Sequence, residues 1–510
     1  MKMFSKPFVS FLSAITGALL VTAVFHYTLW GKETPPNIAV STAPINRDAK
    51  LGTSFAPVIR KAAPSVVNIF SSRLVRQQQM HNPLLDDPMF RQFFGGRVPR
   101  SGLDDQPAHP RKEQSLGAGV IVSPNGYILT ANHVVEGADE VKVAIADNKA
   151  QYTARVIGTD PQTDVAVLKI EASGLPAITL ADSEQLEVGD VVLAIGNPFG
   201  IGQTVTMGIV SALGRSGLGF NGYENFIQTD AAINQGNSGG ALVDAEGRLV
   251  GINTAIISRT GGNQGIGFAV PITMARHVME RLISGGKVTR GYLGVSPQDL
   301  TAGLAEHFNL PDQNGVLVGD VMPGTPAEKA GIKSGDIILA FNGKPVLDAH
   351  SLILAVSQSA PGSLASVKLL RNGQTKTLSV TLGQLPESAS AKDGDQDNSD
   401  NSSSSTDALD GVTVADVDAD VRAELKLPEN INGAVVVSVD ADSNSAEAAL
   451  LKGDVILQIN DHPVANARDA VKFCRQARAG KIFLKIWRRD GDFAGTRFLS
   501  VENPQTDKQK

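Results

Sequence analysis

Between Leu116 and Pro271 the chain repeats one pattern, in which short β-branched apolar runs are broken by Gly, Asn and Asp. Gly119-Val120-Ile121-Val122, Val141-Lys142-Val143-Ala144-Ile145 and Val191-Val192-Leu193-Ala194-Ile195-Gly196 are examples. Many short strands with turn residues between them predict an all-β sandwich or barrel. Upstream, Ala63 to Phe70 reads as a first strand, whereas residues 71–114 show little periodicity. A connection of that length is usually functional or structureless. Downstream, Pro271-Ile272 to Ser284 reads as a closing helix with His277 on its surface.

After this region the pattern repeats at a fixed offset. Gly315-Val316-Leu317-Val318 matches Gly433-Ala434-Val435-Val436, an offset of 433 − 315 = 118. Ser334-Gly335-Asp336-Ile337-Ile338-Leu339 matches Lys452-Gly453-Asp454-Val455-Ile456-Leu457, and 453 − 335 = 118 again. A constant offset means two copies of one module. Between them, residues 385–407 are rich in Ser, Asp and Asn and almost free of apolar side chains, so they cannot bury a core and read as an acidic linker. The boundaries expected are therefore a β-rich domain at 55–285, modules at 286–384 and 408–502, and a tail at 503–510.

The N-terminus carries Lys2 and Lys6 ahead of a largely apolar run over residues 8–30. Crossing a bilayer takes ~20 such residues, and basic residues on the N-terminal side keep that end in the cytoplasm. The bulky Phe25-His26-Tyr27-Thr28-Leu29-Trp30 lacks the small residues of a cleavage site. Residues 1–31 are read as an uncleaved inner-membrane anchor; a cleaved signal peptide is the rival. Residues 32–54, with several prolines, read as a tether.

A length of 510 residues allows several domains, and a net charge of −6 gives no reason to expect nucleic acid. The single Cys474 has no internal partner and reads as a small buried hydrophobe, which does not exclude an oxidising compartment.

The candidate chemistry centres on Asn234-Gln235-Gly236-Asn237-Ser238-Gly239-Gly240. Glycines there let neighbouring N–H groups turn towards one point beside an exposed serine, as an oxyanion site needs. The stretch also fits G-x-S-x-G, the strand–turn–helix elbow of another hydrolase class. Here, however, Ala241-Leu242-Val243 and Arg248-Leu249-Val250-Gly251-Ile252 flank a polar turn and read as a hairpin. A barrel protease loop is preferred, with histidine and aspartate upstream. His133 ends the run Tyr127 to Ala131, and Asp164 heads Val165 to Ile170. The order His133, Asp164, Ser238 suits a base, an orienting carboxylate and a nucleophile. The backbone N–H groups of Gly236 and Ser238, with Asn237 a third candidate, would hold the oxyanion. No H-E-x-x-H run is present, and neither a metal nor another cofactor is called for.

Ala-Asn-His133-Val-Val, Thr-Asp164-Val-Ala-Val-Leu and Gly-Asn-Ser238-Gly-Gly closely resemble the Deg/HtrA serine proteases, and the resemblance runs from about Phe55 to Val501. It implies a mainly β chain: a chymotrypsin-like double six-stranded β-barrel followed by two α+β PDZ-like domains. It implies an ATP-independent periplasmic quality-control endopeptidase with unfolded or misfolded envelope proteins as substrates. A homotrimer formed near Phe55 is implied too, with larger cages left open. Residues 213–225 and 255–265 would line and switch the specificity pocket, and Ile256 and Ile266 suggest an apolar one that takes small aliphatic residues. A loop carrying Phe90, Phe93 and Phe94 would reach neighbouring subunits. Where the family usually has proline, this chain has Gln235.

Gly-Asp-x-Ile-Leu resembles PDZ domains, which add a peptide as a strand and hold its carboxylate on backbone N–H groups. In the first copy the matching loop is Tyr292-Leu293-Gly294-Val295. The second reads Leu409-Asp410-Gly411-Val412, with a carboxylate that would repel an incoming one. The second copy also replaces Ala330-Gly331-Ile332 with Ala448-Ala449-Leu450, so its turn should be built another way. Peptide C-termini are the expected ligands of the first copy. The rival function is a chaperone or PDZ scaffold using the protease fold as a platform; the three retained site residues argue against it.

Overall fold

The computed structural model describes residues 36–45, 54–75, 111–145, 151–197, 202–220, 222–234, 236–256, 263–386, 406–409, 411–477, 480–490 and 493–503. The apolar run 8–30, the Phe90–Phe94 cluster, Gln235, Asp410 and most of the acidic linker lie outside these residues. The chain divides into two compact units at Val288/Thr289.

The first unit holds two closed six-stranded barrels. One runs β1 (Val66–Val75), β2 (Arg111–Ile121), β3 (Tyr127–Ala131), β4 (Glu140–Ile145), β5 (Gln151–Asp160) and β6 (Val165–Ile170). The other runs β7 (Val191–Gly196), β8 (Thr204–Arg215), β9 (Phe226–Thr229), β10 (Ala241–Asp244), β11 (Leu249–Ile256) and β12 (Gly267–Pro271). In β4 side chains alternate between partly and fully buried, as a strand with one face on a core must. Ile69, Ile128, Val143 and Leu168 fill the first barrel, and Val192, Ile227, Leu242 and Val250 the second.

Three details differ from the sequence reading. The first strand begins at Val66, because Ala63-Pro64-Ser65 makes a 3₁₀ turn; proline has no N–H to give a ladder. The patternless stretch starts and ends as strand: β1 and β2 stay paired out to Val75 and Arg111. Their polar ends, such as Ser71-Ser72-Arg73 and Lys112-Glu113-Gln114, carry no apolar alternation by which to be recognised. Finally, part of the expected tether is packed on the protein. Ser41 N–H donates to Leu180 O (2.9 Å), and the buried Arg248, paired with Asp244 at 2.7 Å, donates to Ala43 O (3.0 Å). The closing helix spans Ile272–Gly285 and stops at Gly286, which takes a left-handed φ of 70° that glycine adopts without strain. His277 on it is half-buried, its Nδ1 2.9 Å from Thr273 O.

The second unit contains both repeat modules. In the first, the sheet order is Val295–Asp299, Val316–Val321, Ile337–Phe341, Leu364–Arg371, Gln374–Thr381. Helix Ala349–Gln358, started by an Asp348/Ser351 capping box, covers its core. The second module repeats the plan with helix Ala467–Gln476, and Cys474 lies in its core with the thiol pushed up to about 12 by burial. The repeated Gly-Asp motif has a structural job. Asp336 and Asp454 are each 1 % exposed and receive two 2.6 Å bonds from Arg371 and Arg488 respectively. The same arginines donate to Gly331 O (2.7 Å) and Ala449 O (2.6 Å). Contrary to expectation, the second module builds this turn as the first does. Ala449 takes φ 59° where Gly331 takes 78°, so an L-residue is held in the left-handed region. No helix among the described residues is long and apolar enough to cross a membrane.

Candidate active site and peptide sites

Strand pairing brings His133 and Asp164 together. β3 and β6 are antiparallel with Ala131 opposite Val165, so the residues just past one strand and just before the other must meet. Asn132 N–H donates to Asp164 O (3.1 Å), and Asp164 holds φ 56°, a conformation aspartate tolerates better than most residues. Its carboxylate then accepts from His133 twice: backbone N–H to Oδ1 (2.9 Å) and ring Nδ1 to Oδ2 (2.8 Å). Thr254 Oγ1 donates to Oδ2 as well.

Burial alone would lower the His133 pKa; the hydrogen bond and charge of Asp164, with Glu136 adding, outweigh it and raise the net value. For Asp164, burial pushes upward, but the bonds from His133 and Thr254 and the imidazolium charge leave it below the ordinary carboxylate value. The pair therefore favours an anionic carboxylate under a readily protonated ring, with 47 % of the His133 side chain open to solvent.

The serine loop crosses between the barrels with no room to spare. Ala118 N–H of β2 donates to Ser238 O (2.9 Å). A Cβ on Gly239 would lie 2.2 Å from both Ala118 O and Thr130 Oγ1, and one on Gly240 2.3 Å from Ile195 O. Gly236 (φ 99°) and Gly239 (φ 81°) bend the backbone around the serine. Ser238 Oγ donates to the carbonyl of Thr254 (3.2 Å); one χ1 rotation separates that rotamer from others. Among the described residues the N–H groups of Gly236 and Ser238 carry no hydrogen bond, whereas Asn237 N–H donates to Asn234 O (2.9 Å). Asn237 therefore leaves the set of oxyanion donors: a loop turn already uses its N–H.

The candidate pocket residues sit at strand ends of the second barrel. Ile256 closes β11 opposite Gly267, packing partly on the barrel core, and Ile266 immediately precedes β12; both are half-buried. The loop at 213–225 is clasped by the buried Glu224, which accepts from Leu218 N (2.7 Å) and Phe220 N (2.7 Å). Tyr223 N–H donates to Gln162 O (2.9 Å), two residues before Asp164.

In the first repeat module, Leu293 is buried in the core and its carbonyl accepts from Ala327 N (2.9 Å). Gly294 (φ 85°) lies against Thr325, with no space for a Cβ. Among the described residues the N–H groups of Leu293 and Gly294 carry no hydrogen bond. Half-buried Tyr292 donates its hydroxyl to Met322 Sδ (2.8 Å), and half-buried Val295 opens an edge strand. The second module differs. Strand Thr406–Leu409 pairs antiparallel with Val412–Asp416, the strand matching that edge, and lies against helix Ala467–Gln476. Leu409 packs on the module core. The edge and the groove beside it hold the chain's own upstream segment, so residues 406 and 407 belong to a strand and not to the linker.

Residues 117–252 match the trypsin-like peptidase domain family, and residues 291–382 and 404–492 match PDZ domains. Over 92 % of its length the chain is 37 % identical to a probable periplasmic serine endoprotease, DegP-like, from Chlamydia muridarum, and covers 95 % of it. It is 42 % identical to the periplasmic pH-dependent serine endoprotease DegQ of Escherichia coli, over 80 % of this chain and 83 % of that protein. The solved HtrA-type protease AlgW with decapeptide shares 47 % identity at a TM-score of 0.52, spanning 66 % of this chain and 99 % of its own. The chain belongs to the DegP-like serine endoproteases.

In this HtrA-type serine endoprotease, sequence reasoning missed Thr254, whose side chain touches Asp164 and whose carbonyl takes the Ser238 hydroxyl. A signal was there: the polar pair Asn253-Thr254 interrupts an otherwise apolar β11, and both side chains are buried. Asn253 serves the same loop, accepting Gly239 N–H (2.7 Å) and donating Nδ2 to Ala241 O (3.1 Å).

Proposed function

We propose that Ser238 is the nucleophile, His133 the general base and Asp164 the orienting carboxylate of this endoprotease. The observation that carries the reading is the Asp164 carboxylate, which engages His133 at two atoms and reaches Ser238 through Thr254. Ser238 Oγ, rotated onto the free ring nitrogen, gives its proton to His133 as it bonds to the scissile carbonyl carbon. The N–H groups of Gly236 and Ser238 hold the developing oxyanion. His133 then protonates the leaving amine, the C–N bond breaks, and an ester on Ser238 remains. Water, deprotonated by His133, hydrolyses that ester and frees Ser238. No ATP or cofactor enters this chemistry. Ile256 and Ile266 suit a small aliphatic residue before the cut.

Substrates are unfolded or misfolded envelope proteins, and the first PDZ module recruits their C-termini on Leu293, Gly294 and Val295 beside Tyr292. The activity is periplasmic, a reading supported by the relatives' names; residues 8–30 hold the chain to the inner membrane, and protomers associate as a trimer near Phe55. The domains run 55–285, 286–384 and 406–502, the last taking in strand Thr406–Leu409. A fluorophosphonate probe is expected to label Ser238 alone, and Ser238→Ala to lose casein cleavage while keeping its circular dichroism spectrum. Near-normal turnover of that variant would refute the assignment. Sedimentation of a chain lacking residues 1–50 tests the trimer, and mass spectrometry of membrane-extracted protein tests the anchor; an active monomer, or a new N-terminus after residue 30, overturns the respective reading.

A further inference from the structure

Among the described residues, the edge strand Val295–Asp299 of the first PDZ module is paired on one side only. Gly294 O accepts from Met322 N (3.0 Å), which fixes the alternation: Val295 and Pro297 turn their backbone groups to the open edge. Pro297 has no N–H, so a peptide added there loses one ladder bond part-way along. Its upstream half must be held by something else.

Beside that half lies a cleft of about 500 Å³. Ser296 to Asp299 form its floor, and Ala349 and Ile353 of the helix form one side. The other side comes from the second module: Arg488, Gly495, Thr496 and Arg497 of its terminal hairpin. Arg488 is held in place by its two bonds to Asp454.

The two modules meet closely. The Gln298 side chain acts as a strand edge, donating Nε2 to Phe498 O (2.6 Å) and accepting Phe498 N–H (3.0 Å). Phe483 and Phe498 share one apolar cluster with Leu304 and Leu317. Gly319 and Gly303 sit where side chains cannot: a Cβ would lie 2.5 Å from Thr496 O and 2.4 Å from Ser500 Oγ respectively. Neither glycine has the positive φ that would require it for conformational reasons, so contact with the other module is what excludes a side chain there.

We infer that the second PDZ module supplies the far wall of the first module's peptide cleft, so that the docked pair selects long extended peptides with an apolar C-terminus. This rests on the reading of Leu293–Val295 as the carboxylate seat. The first three ligand residues bind on the first module; residues beyond about the fourth, at ~3.4 Å each, run between Ile353 and the Thr496–Arg497 wall.

The test uses the full chain carrying Ser238→Ala, with a fluorescent tripeptide and a decapeptide sharing the same apolar C-terminus, each also as its amide. The free-acid decapeptide is expected to bind about tenfold tighter than the tripeptide, equivalent to ~1.4 kcal/mol. Adding Gly319→Val, which undocks the modules, should cut that advantage to less than about twofold and leave tripeptide affinity unchanged. Arg497→Glu, on the exposed wall, should reduce it as well and keeps the test decisive if Gly319→Val fails to fold. A decapeptide advantage that survives Arg497→Glu and undocking overturns the inference while leaving the carboxylate seat standing. Equal binding of acids and amides overturns the seat, and the inference with it.

Discussion

Replacing Thr254 by valine tests how the site is held together. Valine keeps the shape and suits a strand, so what is lost is one hydroxyl. That hydroxyl donates to Asp164 Oδ2, the oxygen that also faces His133 Nδ1 at 2.8 Å. The carboxylate keeps its bond from His133 N (2.9 Å), so it stays in place but is less well stabilised as an anion. A hydrogen bond to a charged group contributes about 1.5–3 kcal/mol. The anion matters most when the imidazolium forms, so most of that loss falls on the transition state. A reduction in kcat/KM of about 10–100-fold is expected. The loss should lie mainly in kcat, because Thr254 touches the relay and no substrate contact is assigned to it. Thr254→Ser restores the hydroxyl and should recover most of the activity. Steady-state kinetics on a fluorogenic peptide decides. A valine variant with more than half of the parent kcat/KM would refute the reasoning, as would a serine variant no better than valine.

In its proposed role as base His133 must be neutral, and its pKa is raised above 6.5, so kcat/KM should rise with pH through a limb above that value; Glu136→Gln removes one of the charges raising it and should move the limb to lower pH. The same pair contributes to stability between the ordinary carboxylate value of 3.8 and the ordinary imidazole value of 6.5, and that contribution should fade as pH drops below the first or climbs through the raised His133 value. Ala449→Gly relieves a left-handed residue costing about 1–2 kcal/mol, partly offset by glycine's greater chain entropy; a net gain of about 0.5–1 kcal/mol should appear in calorimetry, and a loss of stability would show that the turn is not strained. Leu409→Asp should expel strand 406–409 and let the second module bind free C-termini, read by titration of the isolated tandem unit; unchanged binding would mean that this segment does not block the groove.

Much of the fold was legible because it rests on short-range rules. Alternation in Val141 to Ile145 and the polar turn at Asp244-Ala245-Glu246-Gly247 specify strand and hairpin from a few residues. His133 and Asp164 were legible because each abuts a strand, although only the pairing of β3 with β6 brings them together. What stayed hidden depends on contacts between distant segments. Thr254 reads as one more strand residue until β11 is laid beside Asp164, 90 positions away. Ala449 was misread because propensity disfavours alanine at φ 59°, yet the Arg488 bridge from Asp454 to Ala449 O holds the turn there.

The difference between the two PDZ modules shows the same limit. A charge at Asp410 offered one reason for the second module to reject a carboxylate. The paired edge offers another, which needs no charge. Strand Thr406–Leu409 already provides the backbone partner that a peptide would provide, and Leu409 already fills the apolar space beside helix Ala467–Gln476. A ligand would have to displace a segment only two residues upstream of Val412 in the chain, and so held at high effective concentration. Among the described residues the first module has no such segment: its residues Gly291-Tyr292 pair with Gly383-Gln384 instead, which leaves Val295–Asp299 unpaired on its outer side. One module thus leaves its edge unpaired while the other closes its own. The closed module lends its terminal hairpin to the open one.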